Sequence, residues 1–318
     1  MSHVTKIDWN SGDKSGLVYI GTHSLWLHAN GPSRKENEPA VIIVQGLGAS
    51  IMGWVAVRRN LAPFVRVYAY DRAGFGDSDV SPNPPKSTTI AQELHTLLRH
   101  ANIPPPYILV AHSWGGILSR EFLALCQRDV IGMVFIEANQ EHTLEVLDWR
   151  EVAFSPVLAG VDRAETTGIL HSHKLTQEEW ELYEQAGKSE KHQKQATLEF
   201  ELYEESFSTL GEKRQLSMVP PLLRDRPVYV IRGDNGGDFQ KLYDAGVKMG
   251  NGNSGEREQF QAILQTWDEK DRALQKGHLA LSNTNHYTEV SDAGHDLQLT
   301  APRAIADGVK WVINNGAY

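Results

Sequence analysis

The sequence predicts an α/β fold, a mostly parallel sheet wound on both faces and interrupted by one helical insertion, and three observations carry that reading. Short, wholly apolar, β-branched runs recur along the chain, amphipathic stretches of helical spacing separate them, and residues 139–226 hold no strand-like run at all. A run such as Val41-Ile42-Ile43-Val44 is too short for a helix and apolar on both faces, the pattern of a strand covered from both sides.

The elements follow in order. Residues 24–28 alternate as an early strand, and Gly31-Pro32 breaks it before the charged loop 33–38. Buried strands are expected at 41–44, 65–70, 107–110, 133–136, 228–231 and 287–290. Between them, residues 88–100 place Ile90, Leu94, Leu97 and Leu98 on one helical face, residues 116–127 form a largely apolar helix, and residues 302–314 carry Ile305, Val309, Trp311 and Val312. Alternating strands and helices imply a parallel, doubly wound sheet. Residues 246–255, with Asn251-Gly252-Asn253-Ser254, read as a loop.

The insertion is rich in Glu, Lys and Gln, and Thr176-Gln177-Glu178-Glu179 has the form of a helix start with carboxylates in the first turn. The expected organisation is a core domain of residues 1–138 and 227–318 with a helical cap, or lid, of residues 139–226 over one end of the sheet. Its aromatics, Trp149, Phe154, Trp180, Tyr183, Phe200, Tyr203 and Phe207, either pack the insertion itself or line a ligand cavity.

The 318 residues carry a net charge of −9 and no basic block, which gives no electrostatic support to nucleic acid or an anionic membrane surface as partner. One cysteine, Cys126, excludes an internal disulfide and a cysteine metal cluster. The polar first dozen residues lack a secretory pattern, and no apolar run approaches the ~18 residues of a membrane span. A soluble, cytoplasmic protein acting on a small molecule is the expectation, its oligomeric state left open.

After the strand ending at Val110 comes Ala111-His112-Ser113-Trp114-Gly115-Gly116, and then a helix. Small residues two before and two after a serine, between strand and helix, allow a turn tight enough to lift the serine Oγ above the sheet edge. This nucleophile elbow resembles that of the α/β-hydrolase superfamily, with Ala111 where glycine is more usual. The resemblance extends to Gln45-Gly46-Leu47-Gly48, similar to the family's His-Gly-x-Gly oxyanion loop with Gln45 in place of histidine. It includes Asp71-Arg72-Ala73-Gly74-Phe75-Gly76-Asp77-Ser78, similar to a structural Asp-Arg-x-Gly-x-Gly-x-Ser loop, and Gly294-His295 after the last strand. The implied enzyme is a capped serine hydrolase with Ser113 as nucleophile and His295 as general base. The N–H groups of Leu47 and Trp114 would form the oxyanion hole, with Gly46, Gly48 and His112 on the substrate-binding side. Neither metal nor cofactor is required, since serine, histidine and a carboxylate suffice for acyl transfer.

Two positions compete for the carboxylate. The commoner arrangement would use the segment after residues 228–231, where Asp234 and Asp238 are available. Other members place the acid after the strand that follows the nucleophile helix, here Glu137. A carboxylate at the tip of a buried apolar strand is costly unless paired, which favours Glu137, with Asp234 the alternative. His171 and His173 lack a third ligand in view and read as solvated loop. Serine at the elbow sets the chain apart from the resembling dehalogenases and epoxide hydrolases, which place aspartate there. The resemblance implies hydrolysis of an ester or lactone; some lidded members with a glutamate at this position open macrolactones. Amide hydrolysis of the proline-iminopeptidase type, using Glu201, Glu204 and Glu205 as amine receptor, is the first alternative, and ligand binding without turnover is the second.

Overall fold

The computed structural model describes residues 7–316. Among these, eight strands form one sheet: β1 (Lys14–Tyr19), β2 (Ser24–Asn30), β3 (Ala40–Val44), β4 (Arg66–Tyr70), β5 (Tyr107–His112), β6 (Val130–Ile136), β7 (Val228–Gly233) and β8 (Asn285–Val290). Their order is β1-β2-β4-β3-β5-β6-β7-β8. β1 and β2 run antiparallel to their neighbours, and every pairing from β4 through β3 to β8 is parallel. The expected α/β architecture is therefore observed.

Three helices, α1 (Val55–Leu61), α2 (Ser87–His100) and α3 (Gly115–Leu125), precede the insertion. Between β6 and β7 lie α4 (Thr143–Val146), α5 (Phe154–Leu158), α6 (Arg163–Thr166), α7 (Ile169–Ser172), α8 (Gln177–Lys188), α9 (Glu190–Glu201) and α10 (Glu205–Gly211). Then come α11 (Asn235–Lys248), α12 (Ser254–Gly277), α13 (Leu297–Thr300) and α14 (Pro302–Asn315).

The period-two geometry of a strand sends alternate residues to opposite faces of the sheet. Ile42 and Val44 of β3, with Leu109 and Ala111 of β5, pack under α2 and α3 through Leu94, Leu97, Ile117 and Phe122. Val41, Ile43, Ile108 and Val110 face the other way, against Val57 and Leu61 of α1 and Ile305, Val309 and Val312 of α14. Each such side chain contributes about 1.5–3 kcal/mol on burial, so the doubly covered central strands fix the sheet that carries the loops.

Several elements escaped the sequence reading, β1, α1, α11 and α12 among them. β1 is a largely exposed edge strand, although Leu17-Val18-Tyr19-Ile20 gives it a short apolar run. The expected loop at 246–255 holds only over 249–253, because α11 reaches Lys248 and α12 begins at Ser254, where Asn253 and Glu256 form a reciprocal capping box. The signal for α12 was present in Phe260, Ile263, Leu264, Trp267 and Leu274, which recur at helical spacing. This helix changes the meaning of the insertion. Phe154 of α5 stacks on Phe260 at 4.0 Å and packs near Phe239 and Trp267, so the first part of the insertion shares a core with α11 and α12. Among the described residues, no helix is long and apolar enough to cross a membrane.

Candidate active site

The loops at the carboxyl ends of β3, β5, β6, β7 and β8 converge around Ser113. Ser113 follows β5 with a φ of 53°, a left-handed conformation that costs a non-glycine residue about 1–3 kcal/mol and persists only where its surroundings impose it. They do so here. Ser113 N–H donates to Ile136 O at 3.2 Å, and its carbonyl accepts from Gly116 and Asn139, each at 2.9 Å. Gly115 must be glycine, since a Cβ there would stand 2.2 Å from Val44 O. Ala111, wholly buried, is small enough for its place two residues before the serine.

Glu137 follows β6 directly, also at positive φ (44°), with 2% of its surface exposed. Its Oε1 accepts from Gly233 N–H at 2.7 Å, and its Oε2 lies 3.5 Å from His295 Nδ1. Burial pushes the Glu137 carboxyl up to about 8, against the pull of the Gly233 N–H and the Arg232 guanidinium. Burial likewise lowers the His295 imidazole below its ordinary value. Both groups are thus biased toward their neutral forms.

His295 sits between β8 and α13, on a loop held by Asp238 of α11, whose Oδ2 accepts its N–H at 3.1 Å. Gly294 admits that contact, because a Cβ at this position would lie 1.8 Å from Asp238 Oδ2. On the other side, His112 lies 2.9 Å through Nε2 from the His295 carbonyl, an acceptor only, so Nε2 carries the His112 proton. The two rings are 4.7 Å apart, and burial together with the neighbouring imidazole depresses His112 to about 3. His112 therefore borders the cavity as a neutral brace for the histidine loop.

The alternative acid, Asp234, is not brought to His295. It caps α11, its carboxylate accepting Gly237 N–H at 2.9 Å from an exposed position. A helix start directly after β7 commits that side chain to the helix terminus, which corrects the expectation that placed it as a possible partner of the histidine.

The loop Gln45-Gly46-Leu47-Gly48 lies against Ser113, with a Cβ on Gly46 3.0 Å from Ser113 Cβ. Gln45 Nε2 donates to Tyr70 O at 2.7 Å, the anchoring contact of the residue standing in histidine's place. Among the described residues, neither the Leu47 nor the Trp114 backbone N–H has a hydrogen-bond partner. In the neighbouring Asp71–Ser78 loop, Asp71 accepts Ile51 N–H and Ser78 Oγ donates to Asp71 O, a purely structural set of contacts.

Gly46, Leu47, Gly48, His112, Ser113, Glu137 and His295 face one cavity of about 580 Å³. Trp149, Trp180, Tyr183 and Tyr203 line it, whereas Phe154 and Phe207 pack in cores and Phe200 is largely exposed; the insertion's aromatics thus divide between the two readings. Sequence reasoning missed Trp54, Arg163, Trp267 and Asp271 as cavity residues. Their only advance signal was the helical periodicity around Trp267. Glu204 and Glu205 pair with Arg150 and Lys86 on the outside and, with Glu201, do not line the cavity. His173 stacks on Trp180 at 4.3 Å, and no group of three or more His, Cys, Asp or Glu among the described residues is placed to hold a metal ion.

Comparison with known proteins agrees with the fold. A protein of Gibberella zeae described as an AB hydrolase superfamily protein is 32% identical over 299 residues, covering 91% of each chain. Cfl2 from Burkholderia cenocepacia superposes with a TM-score of 0.63 at 17% identity over 94% of this chain and 95% of its own. CarC, a serine hydrolase involved in carbazole degradation, superposes with a TM-score of 0.60 at 15% identity over 95% and 99%. At such identities the structures speak for the fold alone. The model of the alpha/beta hydrolase family matches residues 41–308, and the chain belongs to that family.

Proposed function

We propose that this protein is a serine hydrolase that cleaves a carboxylic ester or lactone through an acyl-enzyme on Ser113. The observation that carries the proposal is the convergence, at one apolar cavity, of a serine on a constrained elbow and a histidine 3.5 Å from a buried glutamate, beside two backbone N–H groups, of Leu47 and Trp114, that are unpartnered among the described residues.

His295 presents Nδ1 to Glu137, which leaves Nε2 for the Ser113 hydroxyl. Nε2 takes the Oγ proton as the oxygen attacks the substrate carbonyl, and the ionised Glu137 compensates the imidazolium. The tetrahedral oxyanion is received by the N–H groups of Leu47 and Trp114, in a site where such donors act at low dielectric. Collapse expels the alcohol oxygen, protonated by His295, and leaves the acyl group on Ser113. Water, deprotonated by the same histidine, then attacks the acyl carbon and releases the acid. With a lactone, the expelled alcohol stays tethered to the acyl group until this second step.

The volume and aromatic lining suit a bulky, mostly apolar substrate. Amide cleavage directed by a free amine is less well supported, since the three glutamates expected to receive that amine lie off the cavity. The test is a panel of matched aryl esters, alkyl esters, macrolactones and amino-acid anilides, assayed with wild type and Ser113→Ala. Turnover of esters or lactones that vanishes in S113A supports the proposal; turnover confined to anilides, or retained in S113A, refutes it.

A further inference from the structure

The buried contacts between the insertion and the oxyanion loop carry an inference that rests on the serine-hydrolase reading and deepens it. Glu199, on α9, is wholly buried, and its carboxylate meets the Arg72 guanidinium edge-on, Oε1 to Nε at 2.7 Å and Oε2 to Nη2 at 2.8 Å. The same Oε2 accepts Gly48 N–H at 2.9 Å. Arg72, only 2% exposed, donates onward from Nη2 to Gly46 O at 2.7 Å and from Nη1 to Gln45 O at 3.1 Å.

Peptide geometry gives these bonds their meaning. Gly46 C=O and Leu47 N–H belong to one planar peptide unit, in which carbonyl and N–H point in opposite directions. Fixing Gly46 O on Arg72 therefore fixes the direction of the Leu47 N–H. The next peptide unit, Leu47 C=O with Gly48 N–H, is fixed by Glu199. Both peptides flanking Leu47 are clamped, one by each member of a single buried ion pair, and the Leu47 N–H is left unpartnered among the described residues. A buried ion pair is a poor source of stability compared with apolar side chains of equal volume, so its value here lies in geometry.

The rest of α9 follows the same course. Lys191 Nζ donates to Gly76 O and Ser78 O at 2.9 and 2.6 Å, and the His192 ring packs on Phe75 at 4.9 Å. On α10, Ser206 Oγ accepts the Trp114 indole N–H at 2.9 Å, so the insertion also grips the residue whose backbone N–H is the other one unpartnered among the described residues.

We propose that Glu199 is a positioning residue for the reaction: through Arg72 and Gly48 it holds the oxyanion loop in the conformation that aims the Leu47 N–H, so the insertion completes the oxyanion hole as well as covering the cavity.

The test compares wild type, Glu199→Ala and Glu199→Gln in the full chain. Three quantities are read on each: kcat and KM for an aryl ester, affinity for an aryl trifluoromethyl ketone, which adds to serine as a tetrahedral oxyanion, and affinity for the carboxylic acid product, which does not. Loss of one oxyanion donor lowers kcat about 10²–10³-fold, so E199A is expected to lose about 10²-fold in kcat and in ketone affinity, with KM and product affinity within about threefold. E199Q keeps the volume and one acceptor; it is expected to lose about tenfold in the same two quantities, a partial rescue, and it carries the test if E199A does not fold. Folded variants with wild-type kcat and ketone affinity would overturn the inference, as would a loss falling equally on product affinity. If wild type neither turns over the ester nor binds the ketone, the serine-hydrolase reading fails and this inference fails with it.

Discussion

On one side of Ser113, Glu199 is wholly buried and fully compensated, its two oxygens taken up by a guanidinium and a peptide N–H at 2.7–2.9 Å. On the other side, Glu137 is nearly as buried but receives one peptide N–H and an imidazole still 3.5 Å away, and burial holds its carboxyl up near 8. A saturated carboxylate is a fixed strut. One left short of positive charge has something to gain when a cation forms beside it, which the proposed proton transfer from Ser113 to His295 would produce. In the proposed mechanism the same residue type serves static geometry on the oxyanion side and charge compensation on the base side.

Removing the group that both sides serve has the largest expected effect. Ser113→Ala should lower kcat by about 10⁶-fold, to the residual rate that binding and the oxyanion donors sustain, measured by single-turnover ester hydrolysis.

Replacing the two glutamates should then separate their roles. Glu137→Gln is expected to lower kcat about 10⁴-fold, since an amide cannot balance the imidazolium. Its effect on stability depends on pH. A carboxyl raised to about 8 in the folded protein binds its proton there more tightly than in the unfolded chain, where the ordinary value is 4.5. The native state therefore holds more protons across this window, and stability falls as pH rises through it. Thermal denaturation from pH 5 to 9 should show wild type losing stability relative to E137Q, while wild-type kcat/KM climbs over the same range as Glu137 ionises. Parallel melting curves and a flat rate profile above pH 6.5 would place the ionisable acid elsewhere. Glu199→Ala should instead destabilise the protein by about 3–5 kcal/mol in urea unfolding, because it strands the buried Arg72.

The smallest effect is expected at Asp234. Asp234→Ala removes a helix cap and should cost about 1 kcal/mol of stability, with kcat unchanged.

The elbow, the oxyanion loop and the histidine loop were legible because each is a local event, a small-residue turn or a Gly-His pair at the end of an apolar run. Glu137 could be read by the same logic, as a charge at the tip of a buried strand. Glu199 could not. In sequence it stands among the charged residues of α9 and looks like part of a solvated face, and only packing across 127 positions to Arg72 reveals it as buried. The part Asp238 plays in holding the His295 loop, and the place of Trp267 at the cavity, were obscured for the same reason, since they depend on which loops or helices the sheet order makes neighbours. β1 and α12 each carry a signal in the sequence, the apolar run Leu17-Val18-Tyr19 and the helical spacing of Phe260, Ile263, Leu264 and Trp267.

The most direct test of the central claim is intact-mass spectrometry after reaction with a small fluorophosphonate, comparing wild type with Ser113→Ala, Glu137→Gln and Asp234→Asn. The account predicts one adduct per wild-type chain, none on S113A, slowed labelling of E137Q and wild-type labelling of D234N. An adduct that persists in S113A, or slow labelling of D234N with E137Q unaffected, would contradict it.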